Sequence, residues 1–157
     1  MNRKKITSLF IFSFFCHTAF AEVPFESCFS HAAAYQNLPK QLLIAVAQQE
    51  SGFNPNAINR NQNKTYDIGV MQINTSWLPK LAEYGIRESD LYNPCVNIHV
   101  GAWIMAQNIT AHGWTWKGIG SYNAAKNEQR QIEYTKKVLG RWKQIVQTKD
   151  QILAKNP

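Results

Sequence analysis

Apolar residues recur at helical spacing along much of the chain. The clearest case is residues 39–51, which begin at a proline and end before a Ser-Gly and an Asn-Pro pair. Their apolar positions fall three and four residues apart, as on a helix with one buried face: Leu42, Leu43, Val46 and Ala47. The same criterion predicts four further helices: residues 25–35, 96–111, 114–124 and 128–146.

Two stretches depart from this period. Residues 54–66 are rich in Asn and have little apolar periodicity, which predicts a loop with a short hairpin. Apolar residues then alternate at Ile68, Val70 and Ile73, and Gly69 between them predicts a strand or tight turn where backbone segments approach closely. Helix dominates and strand is minor, so the fold class is α+β and mostly helical, or else all-α.

The first 21 residues are typical of an export signal. Three cations, Arg3 to Lys5, precede an apolar run that ends at Ala19-Phe20-Ala21, so cleavage is predicted after Ala21. The run is too short to cross a bilayer comfortably, which argues against a stable membrane anchor. No repeat or linker divides the rest. We therefore predict one domain over residues 22–147 and a frayed, flexible tail over residues 148–157.

Charge excludes one class of partner. The formal charge is +7, but three of the 17 cations lie in the signal, so 14 remain against 10 acidic residues, which gives +4. This modest basicity suits an anionic polymer, yet no dense cationic face of the kind that binds nucleic acid is evident. The densest group is more typical of a solvated helix face than of a binding site: Lys136, Lys137, Arg141 and Lys143.

The cysteines of the mature chain form one pair. Cys28 and Cys95 remain after the signal is removed, and in an exported protein such a pair is most simply a disulfide, although two buried free thiols are the alternative. The histidines lack metal-ligand spacing, so we predict no metal and no cofactor.

Glu50 is the first candidate for chemistry. In a helix over residues 39–51 it falls on the apolar side, in the last turn. Apolar surroundings disfavour the charged form of a carboxyl and raise its pKa, which suits a general acid near neutral pH. The alternative is a glutamate that ends the helix in solvent.

A second carboxyl follows at Asp67, with Gln72 and Asn74 beyond it as side chains that can hydrogen-bond a ligand. Two carboxyls in different environments are the usual device of glycoside hydrolysis. The alternative for Asp67 is a residue that only caps a turn. Farther along, Tyr122, Asn123 and Tyr134 lie in a Trp-rich region, and aromatic rings beside amides suit sugar binding.

Taken in order, these segments resemble the lytic transglycosylases of the soluble-lysozyme-like type. The resemblance runs from about Cys28 to Val146, in particular to the small exported members that accompany secretion, conjugation or pilus machines. It is carried by AVAQQESGFNPNAIN around Glu50, YDIGVMQIN, NPCVNIHVGAWIM, GSYNA and the helix of Tyr134. It implies a lysozyme-like single domain, a periplasmic location, peptidoglycan glycan strands as substrate, and an envelope-spanning apparatus as partner.

The resemblance also implies roles for individual residues. Glu50 is the expected acid and base in one residue, cleaving the bond between N-acetylmuramic acid and N-acetylglucosamine to leave a 1,6-anhydro end. The positions expected to shape the sugar cleft and to hold Glu50 are Gln72, Tyr122, Asn123 and Tyr134. Family members also pair the cysteines that match Cys28 and Cys95.

Asp67 departs from many relatives, which have no acid at that position. The run DIGVMQIN followed by Trp77 is similar to the c-type lysozymes, in which that Asp is the second catalytic carboxylate, and Asn74 in place of Met points the same way. Asp67 is therefore predicted to assist electrostatically. Two alternatives stay open: a lysozyme-type hydrolase that uses Asp67, and a scaffold that binds peptidoglycan without cleaving it.

Overall fold

The structure is a computed structural model that describes residues 23–124 and 126–155. The predicted export signal and its cleavage site after Ala21 lie outside the described residues, and both stay predictions. In the part of the chain that is described, no helix combines the length and the apolar character needed to span a membrane.

Six α-helices form the bulk of the described ranges. They are α1 (Glu26–Gln36), α2 (Lys40–Glu50), α3 (Leu78–Ala82), α4 (Pro94–His112), α5 (Trp116–Gly120) and α6 (Glu128–Lys155). The predicted helices over residues 25–35, 39–51 and 96–111 are confirmed to within a few residues. The sequence patterns missed α3 and the two short 3-10 turns beside it, Thr75–Trp77 and Glu88–Tyr92.

Two predicted helices have different bounds. The helix predicted over residues 114–124 is shorter, because the Thr115 hydroxyl accepts the Gly118 N–H and starts α5 at the next residue. The last helix is longer and runs to Lys155 rather than ending near residue 146. No Gly or Pro interrupts it there, so helix continues after the apolar periodicity has faded. The flexibility of residues 148–157 stays a prediction.

The sheet is larger than the predicted hairpin. Strands β1 (Ile58–Arg60), β2 (Tyr66–Ile68) and β3 (Ile73–Asn74) pair antiparallel in that order. Asp67 lies opposite Asn59 on one side and opposite Asn74 on the other. Residues directly opposite each other in a sheet project from the same face, so the register brings two amides beside one carboxylate.

Helix α2 runs through the core. Its residues 42–47 are all buried, and it packs against α1 and α6, while α1 also packs against α4. The four predicted core positions, Leu42, Leu43, Val46 and Ala47, are among them. Because α2 leaves the core only at its C-terminal end, its final residue, Glu50, comes out beside the sheet.

A disulfide joins Cys28 of α1 to Cys95 of α4, with the two Cα atoms 5.1 Å apart. The pairing predicted from the sequence is confirmed, in preference to two free thiols. The bond closes a loop of 67 positions, which in the chain-entropy model stabilises the fold by about 4 kcal/mol. It locks the first helix against the helix that supports the sheet.

Candidate active site

A cleft of about 620 Å³ opens between the sheet and the helices. Most of the side chains that line it are polar, as suits a ligand rich in hydroxyl and amide groups. The sheet side contributes Asn59, Asn61, Thr65, Asp67, Gln72 and Asn74, and the helical side contributes Glu50, Ile104, Tyr122, Asn123 and Arg130. The two carboxyls that are 17 positions apart in the sequence therefore face one cleft.

Glu50 ends α2 at the wall of this cleft. Burial raises its pKa from 4.5 to about 7, and this is the largest effect on the group. A hydrogen bond from Tyr134 lowers the pKa, and the negative charge of Asp67 raises it further. Glu50 therefore holds a proton close to neutral pH and can also release it there, as a group that acts first as an acid and then as a base must do.

Tyr134 of α6 holds the Glu50 carboxyl in position. Its hydroxyl donates to Glu50 Oε1 at 2.5 Å, across 84 positions of sequence, and its side chain is almost completely buried. The rings of Tyr134 and Tyr122 stack at 6.5 Å with an angle of 12° between their planes. Burial, followed by the charge of Glu50, raises the pKa of both tyrosines well above 10. Both hydroxyls therefore stay protonated and act as hydrogen-bond donors.

Tyr122 links this support to the sheet. Its hydroxyl donates to the carbonyl oxygen of Met71, just before β3, at 2.9 Å. Gly101 of α4 makes room for this bond, because a Cβ atom there would lie 2.8 Å from the Tyr122 hydroxyl oxygen. The family resemblance predicts that Tyr122 shapes the sugar cleft. The ring does line the cleft, but its hydroxyl is used inside the protein.

Asp67 is held by three side-chain amides. Asn74 Nδ2 donates to Oδ1 at 2.7 Å, and Asn61 Nδ2 and Asn59 Nδ2 donate to Oδ2 at 3.0 and 3.3 Å. Both carboxylate oxygens therefore act as acceptors, and the carboxylate is fixed in the cleft wall. Cross-strand register explains the contacts with Asn59 and Asn74, because each lies directly opposite Asp67.

Asn74 and Gln72 are partly engaged within the protein. Asn74 Oδ1 accepts the Ser76 N–H at 2.9 Å, and its Nδ2 also donates to Thr65 Oγ1 at 2.9 Å. Gln72 Nε2 donates to the carbonyl oxygens of Gly69 and Ala57 at 2.9 and 3.2 Å. The structure thus gives Asn74 a positioning role towards Asp67. Contact of either side chain with a sugar stays a prediction.

The other two predicted residues lie on the helical side. Asn123 is exposed at the rim of the cleft, where a ligand can reach its amide. Tyr134 does not line the main cleft. Its hydroxyl contacts Glu50, and the residue borders a smaller depression next to the cleft. Its position is that of a support for the carboxyl.

Two sets of residues at the site were not predicted from the sequence. Buried Asn97 donates from Nδ2 to the carbonyl oxygens of Ile68 and Leu91, both at 2.8 Å, and its Oδ1 accepts the Met71 N–H at 2.7 Å. The signal for it was a polar residue within an apolar helical pattern. Asn59 and Asn61 belong to a stretch that is predicted as loop with a short hairpin. In the sheet, Asn59 lies directly opposite Asp67, and Asn61 follows two residues later.

Comparison with known proteins finds a family and several relatives that are similar to this chain in sequence. The family model "Transglycosylase SLT domain" matches residues 27–145. Invasion protein IagB of Salmonella typhimurium is 34% identical over 122 residues, covering 75% of this chain and 76% of that protein. Protein IpgF of Shigella flexneri is 34% identical over 122 residues, covering 75% and 80% of the two chains.

A solved structure shows the same fold. An inactive mutant of the lytic transglycosylase Slt from Pseudomonas aeruginosa superposes with a TM-score of 0.63 at 20% sequence identity. The superposition covers 76% of this chain and 23% of that much longer one. The α+β, mostly helical, lysozyme-like architecture predicted from the sequence is therefore confirmed.

Proposed function

The chain belongs to the Transglycosylase SLT domain family of peptidoglycan lytic transglycosylases, and from this premise we propose that Glu50 is its catalytic acid and base. The observation that carries the proposal is the Glu50 carboxyl, which faces the polar cleft and has a pKa of about 7. The substrate bond joins N-acetylmuramic acid to N-acetylglucosamine.

In the first step, protonated Glu50 gives its proton to the glycosidic oxygen. The bond between this oxygen and the anomeric carbon of the muramoyl residue breaks, and the sugar that leaves carries the new hydroxyl. The acetamido oxygen of the muramoyl residue stabilises the cationic carbon that forms. Glu50 is then a carboxylate, and the Tyr134 hydroxyl stabilises that charged form by donating to Oε1.

In the second step, the same carboxylate takes the proton of the muramoyl 6-hydroxyl. The 6-oxygen closes on the anomeric carbon and gives a 1,6-anhydro end, so no water is consumed and Glu50 regains its proton. A pKa near 7 suits both steps, since neither form is strongly disfavoured at neutral pH.

A comparison of wild type with Glu50→Gln tests this assignment. Both chains are run in a gel that contains peptidoglycan, and clearing of the gel reports cleavage. We expect clearing by wild type alone, and Asp150→Asn, which replaces an exposed carboxylate at the far end of α6, serves as a variant that clears normally. Equal clearing by wild type and Glu50→Gln would overturn the role of Glu50, and no clearing by either would favour the binding scaffold.

Hydrolysis of the same bond is a second candidate reaction. The observation that favours it is Asp67, whose carboxylate is held in the same cleft by three amides. We propose that Asp67 assists electrostatically by stabilising positive charge at the anomeric carbon. Mass spectrometry of the products distinguishes the reactions, because anhydro ends are one water lighter than reducing ends, and Asp67→Asn tests whether the ratio of the two depends on this residue.

The cellular role follows from the family resemblance and from the first 21 residues. We propose export with cleavage after Ala21, a periplasmic location, and local opening of the cell wall for a secretion, conjugation or pilus apparatus. The name of the relative "Invasion protein IagB" supports a link with a specialised envelope process. Fractionation of cells that express the full chain, followed by N-terminal sequencing of the mature form, tests the export step.

A further inference from the structure

The cleft does not end at Glu50. A depression of about 190 Å³ adjoins it and shares Asn123 and Arg130 with it. A third depression, of about 520 Å³, follows and shares Gln49 and Lys137 with the second. The second and third depressions therefore lie side by side along α6, leading away from Glu50, and we call them together the α6 groove.

One stripe of α6 forms the floor of this groove. Arg130, Tyr134, Lys137 and Arg141 follow each other at intervals of four, three and four residues, so they lie on one face of the helix. Tyr134 is the residue that holds Glu50, and the three cations extend from it in both directions. Because the three cations lie on one helix, their distances from Glu50, and so from the reacting bond, are fixed.

The cations of the α6 groove are not neutralised by ion pairs. Within residues 23–124 and 126–155, the salt bridges involve other residues. In the same ranges, none of the four cations that line the groove has a carboxylate oxygen within 4.0 Å: Arg130, Lys136, Lys137 and Arg141. Arg141 donates from Nε to Gln49 Oε1 at 3.0 Å, which orients its guanidinium without cancelling the charge. Of the described residues on the lining, Glu133 is the one with an acidic side chain, and it accepts a hydrogen bond from Gln129 at 2.8 Å.

We propose that the α6 groove binds the stem peptide of the muramoyl residue next to Glu50 and recognises its free carboxylates. This inference rests on the proposed function. The sugars of a peptidoglycan strand are neutral once the lactyl group is amide-linked, so the anionic groups near the cleavage site belong to the stem. Cationic side chains recognise carboxylates by charge-assisted hydrogen bonds.

The dimensions of the α6 groove fit such a peptide. Arg130 and Arg141 are 11 residues apart on α6, which corresponds to about 16 Å along the helix axis. An extended peptide of four or five residues spans about 13–18 Å. A further sugar subsite fits less well. Among the residues that the structure describes, the only aromatic ring that borders the groove is that of Tyr134, which is 5% exposed and cannot offer a face for stacking.

Binding to catalytically disabled protein tests the proposal without depending on turnover. In the Glu50→Gln background, dissociation constants are measured by fluorescence anisotropy for a labelled tetrasaccharide fragment of peptidoglycan with its stem peptides. The second ligand is the same fragment after an amidase has removed its stems and the freed lactyl carboxylates have been capped as methylamides, so that this stripped fragment carries no free carboxylate. Lys137→Gln with Arg141→Gln removes two solvent-accessible charge contacts and is expected to weaken binding of the stem-bearing fragment about tenfold.

The same pair of substitutions is expected to leave the stripped fragment unaffected, and the difference is expected to shrink as salt is raised. Lys143→Gln with Lys149→Gln is the matched control, because both residues are exposed on α6 and neither borders the groove. An equal loss on both fragments, an equal loss in the control pair, or no loss would overturn the proposal. Failure of the proposed reaction appears separately, as wild type that binds the fragments but does not clear peptidoglycan.

Discussion

Replacing Glu50 by Gln removes the charge at the centre of the site but keeps the shape of the side chain. Burial raises the pKa of Glu50 from 4.5 in a hydrated chain to about 7 in the folded one. Between these pH values the folded chain keeps a proton that the unfolded chain loses, so the stability of wild type falls as pH rises from 4.5 and levels off above 7. Since each pH unit corresponds to about 1.4 kcal/mol, ionised Glu50 destabilises the fold by about 3 kcal/mol at pH 8.

The measurement is urea unfolding followed by tryptophan fluorescence, with the disulfide intact, for wild type and Glu50→Gln at pH 4 and pH 8. All other titrating groups are common to both chains, so the difference between the chains isolates Glu50. We expect the gain in unfolding free energy of Glu50→Gln over wild type to be about 3 kcal/mol larger at pH 8 than at pH 4. At pH 8 the variant is thus expected to be more stable than wild type, although it is expected to be inactive.

Asp150→Asn provides the control, because it removes a carboxylate from an exposed position on the same helix that supports Glu50. A pH-dependent gain of the same size in Asp150→Asn would show that the effect is not specific to Glu50. If the effect of Glu50→Gln is the same at both pH values, to within about 0.5 kcal/mol, Glu50 titrates as a hydrated side chain and the electrostatic basis of the site is refuted.

Three further substitutions give predictions of different kinds. Tyr134→Phe removes the hydrogen bond that lowers the pKa of Glu50. The alkaline limb of the plot of kcat/KM against pH is therefore expected to move to higher pH by about one unit. An unchanged limb would contradict the assigned contact. Asp67→Asn removes the charge that raises the pKa of Glu50, so the same limb is expected to move to lower pH, the opposite direction. Gly69→Ala places a Cβ atom 2.5 Å from a buried side-chain amide at a φ of +76°, and is expected to lower the unfolding free energy by about 3 kcal/mol in urea titrations. Gly52→Ala, at a φ of +60° with open space around it, is the control and is expected to cost only about 1 kcal/mol.

Local patterns carried a large part of the fold. The spacing of apolar residues in 39–51 located α2 and put Glu50 on its apolar side, because side-chain direction in a helix depends only on position along it. The same argument located α1 and α4. Apolar spacing predicted helix bounds less well where a cap sets the start of a helix, as at Thr115, or where no Gly or Pro ends it, as beyond residue 146. It also missed α3, which is only five residues long and too short to show a period.

The identity of the candidate residues was available from the sequence, but their partners were not. The hydrogen bond from Tyr134 to Glu50 spans 84 positions, and the amides that hold Asp67 depend on which residues the sheet places opposite one another. The alignment of Arg130, Lys137 and Arg141 with the cleft depends on how α6 packs against α2. Burial, hydrogen bonding and charge act over a few ångströms in space, so the pKa of Glu50 and the course of the α6 groove were decided only when distant segments met in the tertiary structure.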